Sequence, residues 1–142
     1  VTGESDRPQR GLLDTSTLTL LPRLDDATQL PHEPLISTIT LAELSVGPLV
    51  ARTEEQRAAR QAHLQQAEAD FEPLPFDAAA ARAFGHVAAA LRHAGRKPSA
   101  RSYDAMIAAV AVANALPLYT ANPDDFAAID RLDVVDVPHP GA

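Results

Sequence analysis

The sequence predicts a three-layer α/β/α fold, in which helices cover both faces of a central, mostly parallel sheet of four to five short strands. Two observations predict it. Short apolar runs alternate with longer helix-like stretches along the whole chain, as a parallel sheet requires because its neighbouring strands are joined by crossover helices. Most of the helix-like stretches also open on a small polar or acidic residue able to cap a helix. A length of 142 residues fits one domain with a real core. That core must be aliphatic, because hydrophobic residues reach 46% while aromatics are only 4%.

Residues 1–9 read as a flexible leader, residues 10–138 as a single domain and residues 139–142 as a tail. Gly11 to Asp14 is the first strand, and Thr15 to Leu21 a short helix. Pro22 opens a polar connection that runs to Pro34. Leu35 to Ile39, alternating and β-branched, is the second strand, and a helix is expected from Leu41 to about Val50. Thr40 would cap that helix, and Gly47-Pro48 should kink or stop it. Thr53-Glu54-Glu55-Gln56 has capping-box form and starts a helix to about Ala69, which is too poor in large apolar residues to enter the core. A strand is expected within Phe71 to Phe76. Asp77 then caps a helix that carries Phe84, Val87, Ala88 and Leu91 on one face and closes at Gly95. Ser102 is expected to cap a central helix, apolar on nearly every side, with Met106, Ile107, Val110, Ala111 and Val112. Leu116 to Thr120 is a strand, Asn122 to Ala128 a short helix and Leu132 to Val137 the last strand.

Bulk properties narrow the function. With no cysteine, disulfides, thiolate metal sites and a cysteine nucleophile are all excluded. No apolar run approaches the ~20 residues of a membrane span, and the first ten residues lack the apolar centre of a signal peptide, so a cytoplasmic location is expected. A net charge of −7 argues against non-specific nucleic-acid binding by the whole surface. The densest basic run, Arg92, His93, Arg96, Lys97 and Arg101, lies just before Asp104. It serves either as a helix C-terminus followed by a solvated loop or as a phosphate-contacting loop.

Four segments place an acid after an apolar run or in the first turn of a helix: Leu12-Leu13-Asp14-Thr15-Ser16, Ile39-Thr40-Leu41-Ala42-Glu43-Leu44, Ser102-Tyr103-Asp104-Ala105-Met106-Ile107 and Tyr119-Thr120-Ala121-Asn122-Pro123-Asp124-Asp125-Phe126. Each taken alone is explained by helix capping. Three of the four follow a predicted strand, however, and the carboxyl ends of parallel strands line a single crevice. Two like charges 4 Å apart repel by about 4 kcal/mol at an effective dielectric of 20, so clustered carboxylates recruit a cation or take up protons. Oxygen ligands without Cys or a His pair select Mg²⁺ or Mn²⁺. A water on such an ion can attack a phosphodiester. The five histidines, His32, His63, His86, His93 and His139, are scattered outside these segments.

In order, spacing and total length the four segments resemble the PIN-domain ribonucleases, most closely the VapC-type toxins of bacterial toxin-antitoxin pairs. The resemblance implies that Asp14 and Asp104 bind Mg²⁺ directly and that Glu43 and Asp125 position its waters or a second ion. It leaves the fourth position open between Asp125, Asn122 and Asp124. Ser16 would orient Asp14 or the attacked phosphate, and Thr120 would support the site with its hydroxyl. Arg96, Lys97 and Arg101 would contact the substrate. The implied partners are an RNA substrate, a cognate VapB-type antitoxin and a second copy of the chain. Leu18, Leu20, Leu21, Pro22 and Leu24 form either part of a partner-binding patch or a well-buried helix. Two other readings compete. A catalytically silent PIN-like module would keep the partner and lose turnover. An aspartyl-phosphate enzyme would need a second acid two residues after Asp14, where Ser16 stands.

Overall fold

Leu12 and Leu13 are adjacent and both fully buried, yet they belong to different cores, because successive strand side chains point to opposite faces. That alternation organises the whole molecule. The computed structural model describes residues 7–97 and 102–140. Its strands are β1 (Arg10–Leu13), β2 (Glu33–Leu35), β3 (Leu118–Thr120) and β4 (Val134–Asp136). They form one parallel sheet in the order β2-β1-β3-β4. The helices are α1 (Thr15–Leu20), α2 (Thr38–Leu49), α3 (Glu54–Asp70), α4 (Ala78–His93) and α5 (Ser102–Ala113). On one face Leu12 and Leu118 pack with Val87, Leu91, Ile107 and Val110 of α4 and α5. On the other, Leu13 and Tyr119 pack with Leu18, Ile36, Ala67 and Val137. The predicted three-layer fold is the observed one.

Local chemistry sets most element ends. Asp14, Thr53 and Asp77 cap α1, α3 and α4 as expected, each accepting from a backbone N–H three residues on. Gly95, at φ 76°, ends α4: its N–H goes to the carbonyl of Arg92 and that of Arg96 to Leu91, a Schellman closure. Pro48 lies in the last turn of α2, which stops one residue later.

Other expectations are corrected. α2 starts three residues early, at Thr38, and its cap is Ser37, so Thr40 is buried inside the helix. The strand expected at Leu35 to Ile39 therefore shifts to Glu33–Leu35. The strand expected within Phe71 to Phe76 reduces to a single parallel bridge between Leu74 and Ser37. Two 3₁₀ turns, Leu21–Arg23 and Ala27–Gln29, occupy the polar connection. Ser102 is the first helical residue of α5, and its cap position falls at residue 101, outside the described residues. Asn122 makes no side-chain cap and is followed by a 3₁₀ turn, Pro123–Phe126.

Leu18 and Leu20 are buried and Leu21 and Leu24 pack against the same core, which leaves only Pro22 of that patch exposed. Of the expected leader, residues 1–6 lie outside the described residues. Arg7 donates to the carbonyl of Leu30 at 3.0 Å, and the carbonyls of Pro8 and Gln9 accept from His32 and Glu33. Among the described residues no helix is long and apolar enough to cross a membrane.

Candidate active site

Strand β1 pairs with β2 on one side and with β3 on the other, so the chain leaves β1 and β3 toward opposite halves of the sheet. A crevice opens at the carboxyl ends of such a strand pair. Asp14 directly follows β1, and Asn122 and Asp125 follow β3. Glu43 reaches the same place from the second turn of α2, and Asp104 from the first turn of α5. These five side chains, with Thr15, Ser16 and Thr19, line one cleft of ≈ 330 Å³. Residues as distant in sequence as Asp14 and Asp125 thus converge. Asp124 is exposed and does not line the cleft.

The half of the cleft built by β1, α1 and α2 is held by hydroxyls. Asp14 is only 3% exposed, and its Oδ1 accepts from the Thr17 N–H at 2.9 Å and from Ser16 Oγ at 2.8 Å. Thr17 Oγ1 donates to the carbonyl of Tyr119 at 3.0 Å, and the Asp14 N–H to the same carbonyl at 3.1 Å, which anchors this turn on β3. Thr15 Oγ1 donates to Glu43 Oε1 at 2.6 Å and lies 3.0 Å from Thr40 Oγ1. A hydroxyl has one proton to give, so with Thr15 donating to Glu43, Thr40 donates to Thr15. This Thr40–Thr15–Glu43 chain was not foreseen from the sequence, where Thr40 read as a helix cap. The available signal was a pair of threonines within the two acidic segments of the first half.

Burial pushes the Glu43 carboxyl above the ordinary carboxylate range; the hydrogen bond from Thr15 opposes the rise and the charge of Asp14 adds to it. Two acids thus feel each other across the cleft. Asp104 and Asp125 also border a smaller recess, shared with Arg96 and Lys97. The basic run therefore reaches the acids from the α4 side. Arg101 lies outside the described residues. Thr120 is fully buried and does not line the cleft; its Oγ1 accepts from the Asn122 N–H at 2.9 Å and so shapes the turn that carries Asn122.

Among the described residues no three carboxylates or imidazoles close on one point as a ready-made cage. The donors that line the cleft are carboxylates, hydroxyls and one amide, without imidazole. Such a set fits a hard divalent cation that keeps several of its own waters, and does not fit a fully protein-ligated Zn²⁺ site.

Comparison with known proteins gives this cleft its context. The PIN domain family matches residues 12–132, which include all four acids. The chain is 42% identical to the ribonuclease VapC5 of Mycobacterium tuberculosis, over 94% of this chain and 97% of that protein. It is 34% identical to the ribonuclease VapC4 of the same organism, over 91% of this chain and 98% of the relative. Its structure superposes with a TM-score of 0.79 on a chain from the crystal structure of VapBC-5, a member of the VapBC family of toxin-antitoxin systems from Mycobacterium tuberculosis. That match has 41% identity and covers 92% of this chain and 100% of the other. The chain belongs to the PIN-domain family and, within it, to the VapC-type ribonucleases of toxin-antitoxin systems.

Proposed function

We propose that the protein is a Mg²⁺-dependent endoribonuclease toxin that hydrolyses RNA phosphodiester bonds in the acidic cleft and is neutralised by a cognate VapB-type antitoxin. The observation that carries this is the convergence of Asp14, Glu43, Asp104 and Asp125 on one cleft at the switch point of the sheet. Family membership supports metal dependence. Asp14 and Asp104 would hold the ion, with Mn²⁺ able to replace Mg²⁺ because both take oxygen ligands. Bound there, the ion would supply a water of lowered pKa and offset charge on the leaving oxygen.

The remaining work falls to this chain's own groups. Ser16 orients Asp14 through the 2.8 Å hydrogen bond. Glu43, steadied by Thr15, is placed to accept a proton from a water in the cleft. Asp125 occupies the fourth acidic position, with Asn122 as its polar neighbour, because both line the cleft whereas Asp124 does not. Arg96 and Lys97 approach the scissile region from the adjoining recess and would hold a substrate phosphate there. The antitoxin, a homodimeric assembly and a cytoplasmic location follow from the same family reading; the related VapBC-5 is a member of the VapBC family of toxin-antitoxin systems.

Asp14→Asn tests the reading cleanly. Asn caps helices as well as Asp does, so α1 should survive while the anionic ligand is lost. Metal-dependent RNA cleavage by the purified protein should fall by about a thousandfold or more, as expected for several kcal/mol of lost charge stabilisation. Growth arrest on expression should disappear with it. Unchanged cleavage by a folded Asp14→Asn protein would refute the assignment.

A further inference from the structure

A second groove, of ≈ 470 Å³ and larger than the acidic cleft, opens between the outer side of α4, the end of α5 and the turn at 128–131. Its floor is apolar, with Val87 and Ile129 almost fully buried, while its rim carries His86, His93, Asp130 and Arg131, all exposed. The groove is not isolated. Ile129 also lines the recess that holds Arg96 and Lys97, and that recess shares Asp104 and Asp125 with the acidic cleft. The three depressions adjoin one another in series, and this row is the track along which a strand would lie.

The chemistry changes along this track. At one end stand the carboxylates; in the middle stand two permanent cations, Arg96 and Lys97; at the far end an apolar floor lies between two imidazoles and the Arg131 guanidinium. His86 and His93 are seven residues apart on α4, about 10 Å along the helix axis, which leaves room for a flat ring between them. The middle recess is too small for a phosphate, but the exposed Arg96 and Lys97 on its rim suit one lying over it, and a base suits the far end, since unpaired bases stack on His rings and Arg planes while cations follow the backbone. The cations Arg96, Lys97 and Arg131 are matched in number by Asp104, Asp125 and Asp130 in the same lining, so the preference for a nucleotide rests on the stacking surfaces of the far end and on point contacts from the cations, not on a net positive field.

We propose that the groove between α4 and the 128–131 turn is a base-binding subsite for the same single RNA strand whose phosphodiester lies in the acidic cleft, with Arg96 and Lys97 holding the intervening phosphate. This rests on reading the cleft as a ribonuclease site, and it extends that site onto a surface outside the acidic motifs. Recognition of nucleotides beside the cut is thereby assigned to His86, His93 and Arg131.

The test is the affinity of the full-length protein for a labelled single-stranded oligoribonucleotide long enough to span the track, measured by fluorescence anisotropy in EDTA to stop metal-dependent cleavage. The double variant His93→Ala, Arg131→Ala should bind about tenfold more weakly, as expected for the loss of one stacking platform, with an unchanged melting temperature. Arg131→Glu should weaken binding further. Equal affinities of wild type and both variants would overturn the subsite, and so would a wild type without affinity for the RNA. A change in oligomeric state with RNA affinity unaltered would also overturn it, in favour of an interface between copies. If the variants lose affinity while Asp14→Asn cleaves like wild type, the groove stands and the ribonuclease assignment of the cleft falls.

Discussion

The two halves of the acidic cleft are built on different principles. Asp14 and Glu43 sit among hydroxyls: Ser16 and the Thr17 N–H hold the first, and Thr15, backed by fully buried Thr40, holds the second. Asp104 and Asp125 instead stand half-buried at the starts of a helix and a 3₁₀ turn, beside a recess that brings Arg96 and Lys97 close. The first half is organised by short hydrogen bonds from Ser16 and Thr15, which are half-buried, with the fully buried Thr17 and Thr40 behind them. The second stands at two helical starts, with Arg96 and Lys97 lining the adjoining recess. A cation or phosphate entering the cleft thus meets one wall braced by side-chain hydroxyls and another that adjoins two exposed cations.

Four substitutions can break or sharpen this contrast. The largest effect on stability is expected at Gly11. A Cβ there would collide with the Tyr119 ring and come within 3.0 Å of Pro31, and the Tyr119 carbonyl is the anchor for Asp14 and Thr17. Gly11→Ala should cost about 1–3 kcal/mol by overpacking. Denaturant unfolding would measure it, and the hydroxyl-held wall should loosen before the other does.

Thr15→Val comes next. It preserves shape but removes the donor to Glu43 and the acceptor for Thr40. Cleavage should drop about tenfold, equivalent to about 1.4 kcal/mol, through kcat rather than KM, and Thr15→Ser should restore most of it. Equal activity of Thr15→Val and wild type would show that the hydroxyl chain serves packing alone.

Glu43→Gln tests the electrostatic side. Because burial raises the Glu43 carboxyl in the folded protein, the folded state binds its proton more tightly than the unfolded chain does. The resulting destabilisation is absent below the ordinary carboxylate range, develops as pH rises through it and is complete above the raised value. In metal-free protein Glu43→Gln should therefore melt higher at pH 7, by no more than about 2 °C once solvent screening of a half-buried group is allowed for, and the gap should close below about pH 4. Thermal melts across pH in EDTA would show it, and a gap that widens toward low pH would reverse the sign and refute the argument.

The smallest change is expected on the other wall. Lys97→Gln should weaken RNA binding only a few-fold and reduce the dependence of log K on log salt by about 0.7 for a single strand, with stability unaffected. An unchanged salt slope would remove Lys97 from the phosphate path.

Local sequence carried much of this molecule. Asp14, Thr53 and Asp77 cap where their position before a helical stretch predicts, and Gly95 closes α4 because only a left-handed residue completes that turn. All four acids were visible because each lies beside a segment with a clear local pattern. Thr40 misled, since a capping box describes a possible helix start without saying whether one is used. Ser37 won that role once the backbone around Ile36 and Thr38 exchanged hydrogen bonds with Leu74. The run from Phe71 to Phe76 looked like a strand, but it lies at the sheet edge with Pro73 and Pro75 unable to donate, and only Leu74 bridges.

The sequence by itself determined the order of the elements, most helix ends, the aliphatic character of the core and the identity of the acids, because these depend on neighbours within a turn or two. Only the tertiary structure decided which side chains meet. The contacts from Thr15 to Thr40 and to Glu43 join positions 25 and 28 residues apart, and the contact from Thr17 to Tyr119 spans 102. Such pairs exist because the parallel pairing of β1 with β2 and β3 brings three strand ends to one edge. No local pattern encodes that pairing; it is set by burying both faces of the sheet at once.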